Sequence, residues 1–173
     1  MNDVHLIETP LEVEFDISDV NSQEFEQEYN TIGNSDDDAI GQWLRVAKAK
    51  GETSESDPVV LHLIVELYRK LDRLEQIITN TVPQNLSLSQ KEVITRIGFE
   101  HFEISEPLLE QGKYYYGRIV LPLHNRKEIP LYFEAVSATL AKIIRIHSRD
   151  EKEWGAYTMS RERMMIRHLK GNV

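Results

Sequence analysis

The first pattern along the chain has period two. "LEVEFDI" sets Leu11, Val13, Phe15 and Ile17 against Glu12, Glu14 and Asp16, which predicts a half-buried strand over 11–17. Its outer face is wholly acidic, as suits an edge strand. "NSQEFEQEYNTIGNS" then reads as polar linker. "SDDDAIGQWLRVAKAKG" predicts a helix over 36–50. Ser35 can cap it, Asp36, Asp37 and Asp38 favour the positive end of its dipole, and Lys48 and Lys50 the negative end before Gly51. Ile40, Trp43, Leu44 and Ala47 form an apolar face that needs a surface to pack on, either this chain's body or another protein.

After the low-hydrophobicity linker "GETSESD", Asp57 and Pro58 supply an N-cap and a first-turn proline. Val60, Ile64, Leu67, Leu71, Leu74 and Ile78 then recur at alternating gaps of four and three, an unbroken heptad seam. With Ile64 at position a, Arg69 falls at f and Arg73 at c, both facing water, while Lys70 and Glu75 can pair between parallel helices. Leu61, Leu63 and Ile77 widen the apolar surface beyond a two-stranded seam. Such a helix either joins more than one partner helix or serves a partner and its own domain together.

"NTVPQNLSLS" breaks this helix. "KEVITRIGFEHFEIS", "KYYYGRIVLPL", "IPLYFEAVSATLAKIIRIHS" and "EWGAYTM" follow, rich in β-branched and aromatic residues and divided by turn material. Five or six short antiparallel strands in so few residues predict a small barrel. "SRERMMIRHLKGN" reads as a closing helix capped by Ser160 and stopped at Gly171, with Met164, Met165 and Leu169 able to plug a barrel mouth. The expected class is therefore α+β, mainly β: an acidic arm over 1–57, an oligomerisation helix over 58–80, and a β-barrel with a C-terminal helix over 86–173.

Charge sharpens this division. Of the 29 acids and 20 bases, residues 1–57 hold 15 acids and 3 bases, so the arm carries −12 and the rest +3. Nucleic acid and anionic membranes would repel the arm, while the body tolerates a phosphate ligand. There is no cysteine, which removes disulfides, thiol catalysis and cysteine-bound zinc and fits a reducing compartment. With no signal-like N-terminus and no long apolar run, a cytoplasmic protein without membrane insertion is expected.

Catalytic chemistry finds little purchase. The six histidines show no metal-ligand spacing, so no metal and no catalytic residue is expected. Glu100 and Glu103 flank His101, but strand residues three apart face opposite sides. The "DDD" run lacks the glycine and glutamate of a calcium loop. Phosphate-loop, dinucleotide and nucleophile-elbow motifs are absent from the sequence. In "YYYGR", Tyr114 and Tyr116 can share a strand face with Arg118 as a base-stacking platform, although sheet packing is the commoner use.

From about Lys91 to Gly171 the order of signals resembles a PilZ domain, the small bacterial β-barrel known for binding cyclic di-GMP. The family's second motif is Asp or Asn, any residue, Ser, two residues and Gly; "VITRIG" offers Thr95 and Gly98, with Val93 in place of the acid or amide. "EPLLEQGKYYYGRIVLP", "AKIIRI" and "EWGAYTMSRERMMIRHLKG" are similar to the family's later strands and closing helix. The first motif is two arginines four apart in a flexible segment before the barrel, gripping phosphates and guanines. Arg69 and Arg73 in "RKLDR" have that spacing, but lie inside the heptad helix.

The resemblance implies a non-enzymatic signalling adaptor of the atypical PilZ kind. It would oligomerise through its heptad helix and act through other signalling proteins in cyclic di-GMP-related regulation, with no cofactor and decayed nucleotide motifs. The alternative is a genuine receptor, with cyclic di-GMP held by Arg69, Arg73, Thr95 and Gly98. A β-barrel nucleic-acid binder using Tyr114, Tyr116 and Arg118 is a further alternative, which requires the acidic arm to act as an intramolecular mimic.

Overall fold

The computed structural model describes residues 4–33, 38–81, 84–123 and 126–171. The chain forms two compact units: residues 1–33 with 86–173, and residues 34–85.

The first unit is a closed antiparallel barrel of six strands: β1 (Ile7–Ile17), β2 (Gln90–Ile97), β3 (His101–Ile104), β4 (Tyr114–Leu121), β5 (Lys127–Ala135) and β6 (Leu140–Ile146). Around the barrel the order is β1-β2-β3-β6-β5-β4, closed by pairing of β4 with β1. The period-two pattern of β1 is obeyed, with Leu11, Val13 and Phe15 buried inside. Its predicted edge position is not. β1 pairs with β2 on one side and β4 on the other, because closure leaves no edge to occupy. Val13, Phe15, Ile94, Phe102, Ile119 and Phe133 fill the interior, where Phe133 meets Phe102 edge-on at 5.0 Å and stacks on Tyr115 at 5.3 Å.

Among the described residues, two helices belong to this unit. α1 (Ser22–Gly33) occupies the segment expected to be linker. Phe25, Glu28 and Tyr29 are its buried residues, spaced one turn apart on one face, and that face lies on the outside of the sheet. α4 (Ser148–Gly171) corrects three further expectations. "EWGAYTM" is helical, so Ser160 lies inside the helix instead of capping it. Trp154, not Met164, Met165 or Leu169, joins the barrel core: it is buried and its indole donates to the carbonyls of Gly98 at 3.0 Å and Phe99 at 3.1 Å, whereas those three side chains are exposed.

The second unit is a helical pair, α2 (Ala39–Ala49) and α3 (Pro58–Ile78). Asp38 caps α2 by accepting from the Gly41 amide, and Asp57 caps α3 ahead of Pro58 by accepting from Val59. The expected cap Ser35, with Asp36 and Asp37, lies outside the described residues. Gly51, at φ 75°, takes the left-handed conformation that turns the chain after α2.

Candidate functional site

Among the described residues, a long apolar surface without a partner lies on α3. Val65 alone of its residues is buried, with Leu61 and Arg69 half-buried on the same side. The heptad seam lies elsewhere on the cylinder and is bare. Val60, Ile64, Leu67, Leu71, Leu74 and Ile78 are 50% to 80% exposed, with Leu63, Tyr68 and Ile77 beside them in the same state. At about 100° per residue this apolar surface covers roughly half the helix, wider than a two-stranded seam occupies. On α2, Ala47 is buried and Ile40 and Leu44 half-buried, while Trp43 stays exposed despite its place on the predicted face.

Arg69 faces away from that seam and its guanidinium is engaged. Nε donates to Asp38 Oδ2 at 2.8 Å, Nη2 to Asp38 Oδ1 at 3.2 Å and Nη1 to Glu66 Oε1 at 2.9 Å. Burial pushes Asp38 up, but the Arg69 fork and the Gly41 amide outweigh it and hold the carboxyl below its ordinary value. The Asp38 hydrogen bond leads in raising Arg69. Arg73 is exposed.

Thr95 and Gly98 belong to the barrel unit, so the four expected ligand residues divide between the two units. Thr95 is exposed on β2 and its hydroxyl donates to the Glu103 carbonyl at 3.3 Å. Gly98 is fixed by packing: a Cβ there would stand 2.7 Å from the His5 carbonyl oxygen, and its own carbonyl accepts from Trp154.

The residues that sequence reasoning passed over gather where α1 crosses the sheet. Arg118, buried on the outer face of β4, donates through Nη1 to both oxygens of Glu28 at 2.8 Å. Its Nη2 reaches Glu14 Oε2 and the Leu86 carbonyl, each at 2.8 Å. Glu28 also accepts from Tyr116 Oη at 2.7 Å and from the Leu86 amide at 2.8 Å. Burial, then the Glu28 carboxylate, pushes the Tyr116 phenol far up; burial opposes the charge on Arg118, but its two carboxylates more than restore it. The chain leaves this unit after Gly33 and re-enters at Leu86, so one arginine holds both neighbourhoods.

A second cluster flanks the first. Arg145 forks onto Glu26 at 2.7 Å through each terminal nitrogen and lies over the Tyr29 ring at 4.4 Å. Its hydrogen bond leads in holding Glu26 below the ordinary carboxylate value. Tyr132, donating to Glu26 at 3.2 Å, is pushed up to about 12, mainly by burial. His147 stacks on Tyr29 with centroids 3.9 Å apart and bonds the Tyr29 carbonyl at 2.9 Å.

α1 therefore covers the stacking platform expected from "YYYGR": Tyr116 is fully buried against Phe25, Arg118 has its donors engaged, and Tyr114 alone is exposed. Among the described residues no cluster of three histidine, cysteine, aspartate or glutamate side chains could hold a metal ion. A pocket of about 80 Å³ lies on the barrel exterior between Glu12, Glu14, Lys91, Arg118, Arg126 and Glu128, with charges of both signs.

No family model matches the chain, and no curated protein matches it. A solved structure from Xanthomonas campestris, described as a tetrameric PilZ domain of a pathogenic protein self-assembled through an unusual helical bundle, aligns over 98% of this chain and 93% of its own. Identity is 13% and the TM-score 0.39, so the likeness decides neither family nor function. The closed six-stranded barrel is established by the strand pairing itself.

Proposed function

We propose that this chain is a non-enzymatic signalling adaptor that assembles with copies of itself through the bare half of α3 and presents its barrel to protein partners. The observation that carries this reading is the row of exposed seam side chains from Val60 to Ile78. Each large aliphatic side chain taken out of water there contributes about 1.5–3 kcal/mol, enough over the whole row to drive association. The width of the row favours more than two helices. A role in cyclic di-GMP-related regulation rests on the resemblance of residues 91–171 to PilZ domains. A cytoplasmic setting rests on the absence of cysteine; among the described residues no helix is long and apolar enough to cross a membrane.

Direct nucleotide binding is not required by this reading, since Asp38 and Glu66 already fill the Arg69 fork. The test has two parts. Light scattering after gel filtration is expected to give a multiple of one chain's mass, falling to a single chain when Leu67→Glu and Leu71→Glu are combined; a monomeric unmodified protein removes the proposal. Calorimetric titration with cyclic di-GMP is expected to give no heat. Binding that disappears in an Arg69→Ala, Arg73→Ala variant would replace the adaptor by the receptor.

A further inference from the structure

The end of α4 is a second unpartnered surface. Thr158 is the last buried residue of the helix and Arg161 and Glu162 are half-buried, but every residue from Arg163 to Gly171 is exposed. These nine residues of helix, at 1.5 Å rise per residue about 13 Å long, carry Met164, Met165, Ile166 and Leu169 in the open. A short helix without tertiary packing is marginal in water, so its apolar side chains favour a state in which something covers them.

The pattern of charge identifies what that is. Residues 160–171 hold four bases, Arg161, Arg163, Arg167 and Lys170, against one acid, Glu162, which is itself engaged with His5 at 3.1 Å. At about 100° per residue, Met165, Leu169 and Ile166 share one sector roughly 100° wide, with the half-buried Glu162 at its N-terminal end. Arg163, Arg167 and Lys170 border it on one side, His168 and Arg161 on the other; Met164 lies apart. An apolar strip with long basic side chains along one margin matches a surface that is greasy beneath and anionic at the rim. The acids that make the whole chain −9 are concentrated in residues 1–57. At physiological salt a charge's field decays over about 8 Å, so the sign of the segment itself governs what lies against it.

We propose that this segment of α4 lies in the interface of an anionic lipid bilayer, with Met165, Ile166 and Leu169 among the acyl chains and Arg163, Arg167 and Lys170 at the headgroups. The contact is peripheral and does not span the bilayer. It stands independently of self-assembly through α3, although several copies in one assembly would strengthen it by multivalency.

The test is co-sedimentation of the full chain with phosphatidylcholine vesicles containing about one-third phosphatidylglycerol, beside vesicles of phosphatidylcholine alone. Binding to the anionic vesicles at low salt is expected, with at least about tenfold less to the neutral ones and a steep loss as salt rises. Ile166→Glu with Leu169→Glu, and separately Arg163→Glu with Arg167→Glu, are each expected to abolish it. These side chains are exposed, so an unchanged melting curve shows that the fold is intact. Leu67→Glu with Leu71→Glu is expected to weaken binding without abolishing it, which separates this surface from α3. Equal binding to both vesicle types, binding that survives either α4 variant, or no binding at all overturns the proposal; the last result assigns the strip to an acidic groove on a protein partner.

Discussion

Arg118 shows how far a residue's surroundings can redirect its chemistry. In sequence it is the cation of a tyrosine-rich strand; in the fold it is 6% exposed at the side chain, between Glu28 and Glu14. A buried pair of this kind adds little net stability compared with apolar packing, but removing one partner strands the other charge. Arg118→Ala is therefore expected to cost about 3–5 kcal/mol in chemical denaturation of the barrel unit, because Glu28 keeps its burial and loses its cation. Arg118→Met combined with Glu28→Leu is expected to recover most of that loss. Were the single variant neutral, the pair would have to be solvated in solution. No local signal in "YYYGR" distinguishes a buried arginine from an exposed one; the deciding partner stands 90 residues earlier in the chain.

At the scale of elements, the second unit depends on a contact between a helix cap and a neighbouring helix. Asp38 both caps α2 and binds Arg69 of α3, and its carboxyl is held below the ordinary value of 3.8. A group whose folded pKa is depressed contributes stability that is complete above its unfolded value and lost as pH falls through the folded one. Helicity of α2 and α3 is therefore expected to weaken as pH drops below about 4, and Asp38→Asn is expected to flatten that dependence in circular dichroism. An unchanged acid profile would mean that the pair does not hold the two helices together. α3 was legible because capping, proline and heptad signals agree over its whole length. α1 was not: Phe25, Glu28 and Tyr29 make a face only once a carboxylate counts as an inward residue, and that depends on the waiting Arg118. Gly33 belongs to the same account. A Cβ there would come within 2.0 Å of the His147 ring, so the glycine at the end of α1 is required by a residue of the far β6–α4 junction.

At the scale of the whole molecule the bare seam of α3 and the barrel belong to different units, and the two tryptophans divide accordingly. Trp43 is exposed in the helical unit, and Trp154 is buried in the barrel unit. In the Leu67→Glu, Leu71→Glu variant, emission from Trp154, read in a Trp43→Phe background, is expected to stay blue-shifted while the mass falls to one chain. A red shift of Trp154 would mean that the barrel does not stand without the assembly.

Part of this fold is written in period and capping alone. The alternation of β1 picks out its buried face, the β-branched and aromatic runs before Ser148 give the five later strands while "EWGAYTM" does not, Asp57 and Pro58 start α3, and the heptads fix which side of α3 is apolar. Each of these is local, carried by residues a turn or a pleat apart. Tertiary structure alone decided that β1 closes the barrel, that Trp154 serves as its plug, and that Arg118 and Tyr116 lie beneath α1. Those outcomes depend on which distant partner removes a side chain from water and completes its hydrogen bonds. The residue concerned carries no record of that partner in its own neighbourhood.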